Sequence, residues 1–196
     1  GIGLTVQRKL AKKIGKNRAL AHELWATSNY DAKVLGLLID EPKQITVEQA
    51  ETQVEQLNGG MLRHVFSSCD ATLAKSPVAF DVANLWLTSD DPVRRSCAFG
   101  LTYELSKKKS KALTDDFFMK VINNIEANYK NESKRVLLAM GGALLGIGKR
   151  NKMLNKAALA LAKKIGPIDF NEDGQKCDPF DVVKHLDNDA LRKRLG

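Results

Sequence analysis

Apolar residues recur three and four positions apart along nearly the whole chain, and each run is bounded by a residue able to cap a helix. Over 6–14, Val6, Leu10 and Ile14 share one side while Arg8, Lys9, Lys12 and Lys13 fill the rest, and Gly15 ends the run. Asn17 caps a second helix through Trp25, and Asn29 or Asp31 a third through Leu38, stopped by Asp40-Glu41-Pro42. Thr46, ahead of Glu48 and Gln49, opens a helix to about Leu57 that Asn58-Gly59-Gly60 breaks. Helical spacing resumes over 61–75, and Ser76-Pro77 starts the helix that ends in Trp86. Next, Ser89, Asp90 or Asp91 caps a helix whose first position suits Pro92, and Val93, Cys97, Leu101 and Leu105 form its apolar stripe. Asp115 or Asp116 begins another, with Phe117, Phe118, Val121, Ile122 and Ile125 apolar, and Asn131 caps its partner over 133–148. An alanine-rich helix covers 151–165. After Gly166-Pro167 an acidic loop leads to a helix near 179–186 and a short basic turn. Strand alternation is absent, so the expected fold is all-α.

The pattern repeats. Leu24-Trp25-Ala26-Thr27-Ser28-Asn29 matches Leu85-Trp86-Leu87-Thr88-Ser89-Asp90, which sets Lys33 on Arg94; a fainter third copy sets Lys134 and Arg135 on Arg94 and Arg95. Each copy is an apolar helix, a polar turn and a second helix with a cation in its first turn. The helix dipole disfavours a cation there, so helix preference does not account for it. This organisation is that of HEAT-type helix pairs stacked into a solenoid. The expected division is a helical-repeat domain over 1–166 and a tail over 167–196 whose short helices pack on it.

Charge narrows the class of partner. Lys and Arg number 31 against 23 Asp and Glu, a net +8 that favours an anionic partner such as nucleic acid. No apolar run is long enough for a membrane span. Cys69, Cys97 and Cys177 are too few and too scattered for a disulfide framework, which fits a reducing, cytoplasmic setting. His22, His64 and His185 form no metal-ligand spacing, so neither metal nor other cofactor is expected. The start Gly1-Ile2-Gly3 has neither an initiator Met nor a signal-peptide pattern, as in an N-terminally truncated chain.

Five stretches, in this order and spacing, carry a family resemblance: residues 8–14, Glu23 to Thr27, Ser89 to Arg95, Gly146-Ile147-Gly148-Lys149-Arg150-Asn151, and Lys176-Cys177-Asp178-Pro179. Together they resemble the DNA alkylation repair family, HEAT-like-repeat proteins whose active members are alkylpurine DNA glycosylases. The resemblance implies DNA held in a concave face by Lys and Arg, with two tryptophans and an aspartate around the damaged nucleotide. Indole faces offer electron density to a cationic alkylated base, and a carboxylate stabilises the sugar cation left as the base departs. Such members need not flip the lesion into a pocket.

Carried over residue by residue, the trio is missing. The family's Trp-x-x-x-Asp segment falls on Gly60 to His64, its second tryptophan falls near Gly142, and only its arginine finds a match, at Arg95. The expectation is therefore a DNA-binding repeat protein with weak or no alkylpurine excision. Its candidate phosphate contacts are Lys33, Arg94, Arg95, Lys134 and Arg135. Two alternatives stay open: a glycosylase using other groups, with His64 and Asp70 as candidates for the catalysis, and a protein-binding scaffold. The basic loop over 106–111 reads as a solvated turn or a further phosphate contact. Gly141, Gly142 and Gly146, inside one helix, imply close backbone packing or the avoidance of a large side chain.

Overall fold

The computed structural model describes residues 1–59, 61–69, 72–171 and 177–196. Its contacts divide the chain into two compact units, Gly1–Val82 and Ala83–Gly196, so the tail over 167–196 belongs to the second.

In the first unit, α1 (Leu4–Ile14) begins two residues before the expected Val6, α2 (Arg18–Ala26) and α3 (Tyr30–Ile39) begin where expected, and side chains of Asn17 and Asn29 accept the N–H groups of Leu20 and Ala32. Asp31, the other candidate cap, instead receives the Ile2 N–H and the Gln7 amide. α2 and α3 pack at close range across Gly36: a Cβ built there meets the Ala21 carbonyl oxygen at 2.9 Å. α4 (Val47–Val54) is capped by Thr46 and stops three residues short of Leu57. The continuous helix expected over 61–75 is broken into α5 (Leu62–Ser67) and α6 (Thr72–Lys75). Ser67 donates to the Arg63 carbonyl and Ser68 to that of His64, the local side-chain bonding that bends and ends helices. α7 (Ala79–Trp86) runs across the division between the units.

The second unit is built on α8 (Pro92–Ser106) and α10 (Lys134–Ile147), with α9 (Asp115–Asn128) and α11 (Lys152–Ile165) packed against them. Asp91 is the cap of α8, Thr114 that of α9 and Ser133 that of α10; the expected cap, Asn131, closes a short 3-10 turn instead. α12 (Val182–Leu186) and α13 (Asp189–Leu195) follow, the second a true helix where a basic turn was expected. Leu186 seats on Gly148, and Ile168 and Phe180 pair through their backbones beside Gly141. Trp25 and Trp86 are both buried, at 9% and 1% exposure.

The glycines divide by environment. A Cβ at Gly141 runs into Ile168, and one at Gly146 lies 3.0 Å from the Tyr103 ring, whereas one at Gly142 meets nothing within 4 Å. Gly36→Ala, pressed against backbone, is therefore expected to cost about 1–3 kcal/mol. Gly142→Ala is expected to stabilise by up to ~1 kcal/mol through helix propensity. Urea denaturation of the two variants beside the parent checks both signs.

Candidate nucleic-acid interface

α8 and α10 run parallel, because they are tied at both ends. At their starts Arg95 forms a bidentate pair with Glu132, Nε to Oε1 at 2.6 Å and a terminal nitrogen to Oε2 at 2.9 Å. The other terminal nitrogen donates to the carbonyls of Ser89 and Asp90 at 2.9 and 2.8 Å. The Glu132 side chain is only 7% exposed. Its hydrogen bond holds the Arg95 guanidinium above its ordinary pKa, against the opposing effect of burial.

This clamp sets two first turns side by side. On α8, the Asp91 carboxylate accepts the N–H groups of Val93 and Arg94 and pairs with the Arg94 guanidinium at 3.0 Å. Burial pushes the Asp91 carboxyl up, but those N–H groups and Arg94 outweigh it and hold it below its usual value. On α10, Lys134 reaches the Asp169 carboxylate at 3.2 Å through an exposed contact, and Arg135 is exposed. Exposed pairs of that kind stabilise little and exchange readily for a phosphate.

Of the five cations expected as phosphate contacts, the structure thus brings four, Arg94, Arg95, Lys134 and Arg135, to paired helix starts. Arg95 already makes four hydrogen bonds there, so its place is that of a positioning group. Lys33 belongs to the first unit. Its ammonium lies 4.3 Å from the centre of the Trp25 ring and donates to Gln56 at 2.8 Å, and burial lowers its pKa. The Trp25 indole N–H is buried without a hydrogen-bond partner.

His64 is exposed on α5, its Nδ1 3.0 Å from the Ser68 hydroxyl. Asp70 and Gly60 lie outside the described residues. Among the described residues no group of three or more His, Cys, Asp and Glu side chains is placed to hold a metal ion, and no helix is long and apolar enough to cross a membrane.

Sequence reasoning missed two organising residues. Glu132 was one polar residue in a turn, with nothing to mark its partner 37 positions away. Arg150 lies over the Phe118 ring at 4.3 Å and donates to the carbonyls of Ser106, Lys108 and Leu113, tying the end of α10 to the loop after α8. Its only signal was its place in the Gly146–Asn151 stretch.

The charge is uneven. The first unit has 10 Lys and Arg against 9 Asp and Glu, the second 21 against 14, so nearly all of the excess accompanies the α8–α10 pair.

Known proteins resemble the chain over most of its length. It is 25% identical to an uncharacterized protein of Listeria monocytogenes over 93% of this chain and 79% of that one. An uncharacterized protein of Listeria innocua is also 25% identical, over 90% and 75%. A solved structure superposes with a TM-score of 0.82 at 26% identity, over 100% of this chain and 83% of that chain; it represents a new family of proteins related to the HEAT-like repeat DNA glycosylases with affinity for branched DNA structures. The fold is accordingly all-α, with HEAT-like helical repeats. The sequence also matches the family described as DNA alkylation repair enzyme over residues 1–167, and the chain belongs to that family.

Proposed function

We propose that the protein binds DNA through its phosphate backbone, with little sequence preference, and that it favours branched DNA and excises alkylated purines weakly or not at all. The observation that carries this reading is the Arg95–Glu132 clamp, which sets Arg94, Lys134 and Arg135 at neighbouring helix starts in the unit holding most of the positive charge. Lys33 is the corresponding cation of the first unit. Support for branched DNA comes from the structurally similar protein, which has that affinity. Three cysteines, Cys69, Cys97 and Cys177, scattered far apart in sequence, accord with a cytoplasmic setting.

Counterion release makes log affinity fall by about 0.9 per neutralised phosphate for each decade of salt, so four contacts give a slope near −3.5. Replacing Arg94, Lys134 and Arg135 together by alanine is expected to leave a slope near −1 and to weaken binding to every duplex sequence alike. A salt titration by fluorescence anisotropy measures both. A loss no greater than that from a Lys9, Lys12 and Lys13 triple alanine variant would remove the helix starts as the binding site.

A further inference from the structure

We infer that the second unit carries another phosphate-binding surface, at the far end of the α8–α10 pair, that takes a second duplex arm of a branched DNA. The inference rests on the proposed DNA binding at the helix starts and adds the feature that would distinguish a branch from a single duplex.

Three segments build the surface. Residues 107–114 would be a loose basic loop, but Arg150 fastens its backbone at Ser106, Lys108 and Leu113, and Asn151 holds Asp115 at its exit through both carboxylate oxygens at 3.0 Å. Leu113 is buried beneath it. The exposed side chains of Lys109 and Lys111 therefore project from a fixed frame, which lowers the entropy lost on binding. Lys149, next to Arg150 in the turn after α10, is exposed, and its carbonyl accepts from Arg194 of α13 at 2.8 Å. Lys149 and Arg194 also line a cleft of about 300 Å³, with His185, Asn188, Ala190 and Leu191. No carboxylate lines it.

Three of the acids nearby have cationic partners, while Asp115 is held by the Asn151 amide and Asp116 is exposed. Asp187 receives Lys163 and Arg192, Asp189 receives Arg192, and Glu104 receives Lys107. Lys109, Lys111, Lys149 and Arg194 remain without an ion pair among the described residues, beside the exposed Lys193 of the same helix. Cations without ion pairs, beside a cleft that no carboxylate lines, are the electrostatic footprint of a polyanion.

Distance separates this surface from the first. α8 has 15 residues and α10 has 14, so at 1.5 Å per residue the helix starts and the cleft end lie about 20 Å apart. Two DNA arms diverging from a branch can meet both surfaces at once, whereas one arm held at the helix starts need not reach the second. Joining two weak contacts through one branched molecule raises affinity without any new interaction.

The test compares a four-way DNA junction with a linear duplex of one arm's sequence, by anisotropy at fixed salt, for the full chain and for a Lys109, Lys111, Lys149 and Arg194 quadruple alanine variant. All four side chains are exposed, and circular dichroism verifies the fold. The parent is expected to prefer the junction, and the variant to lose at least tenfold in junction affinity while keeping duplex affinity within twofold. An equal loss on both DNAs, an unchanged junction preference, or no preference in the parent overturns the second surface. Absence of binding to either DNA by the parent overturns the proposed function itself.

Discussion

Replacing Glu132 with alanine is expected to destabilise the protein by about 2–3 kcal/mol, a fall in Tm of roughly 5–10 °C for a chain of this size. The carboxylate is 7% exposed and receives a bidentate guanidinium that is itself 22% exposed, so its removal strands a cation on desolvated ground. Arg95→Ala is expected to cost at least as much, because it leaves an unpaired carboxylate and frees the carbonyls of Ser89 and Asp90. The double replacement is expected to cost less than the sum of the two. Glu132→Gln, which keeps the shape and one acceptor, is expected to be milder than Glu132→Ala. These outcomes separate a positioning role from a phosphate contact. A clamp moves thermal stability and leaves the salt slope of the folded protein largely unchanged, whereas a contact lowers the slope by about 0.9 and spares stability. Differential scanning calorimetry and the salt titration read the two quantities independently.

Release of 7-methylguanine or 3-methyladenine from alkylated DNA is expected to stay near the spontaneous rate, as read by chromatography of freed bases after single-turnover incubation. The chain has two tryptophans, both buried, so neither offers an indole face to a DNA base. At the position expected for the aspartate stands His64, exposed and beside the Ser68 hydroxyl. A group that stabilises charge in a transition state contributes about 10²–10³ in rate, and loss of stacking on a cationic base removes about another kcal/mol. Together these place excision several orders of magnitude below that of a complete trio. Robust release would show that another set of groups performs the chemistry.

The helices were legible because their signals are local. Asn17, Asn29, Thr46 and Asp91 cap from within three residues of the N–H groups they receive, and four-residue apolar spacing needs only its own helix to be read. The recurring Leu-Trp-x-Thr-Ser likewise places Trp25 and Trp86 in the core, since an indole on the inner side of a repeated helix is buried wherever the repeat packs. Misreadings arose where two local signals competed. Ser67 and Ser68 turned their hydroxyls back onto the helix and ended it, and Ser133 rather than Asn131 received the Val136 N–H in the first turn of α10.

The clustering of cations was a matter of sequence, but each cation's task was not. Arg94 and Arg95 are neighbours with the same chemistry. One pairs with the cap of its own helix, and the other reaches Glu132 across the helix pair. Gly141 and Gly142 differ in the same way: one faces Ile168 and Phe180, the other open space. The amino-acid sequence by itself determined the helical elements, their repetition and the basic character of the chain, because these depend on spacing and composition. Only the tertiary structure decided which charges are neutralised and which glycines are crowded, because both depend on side chains that folding brings from tens of residues away.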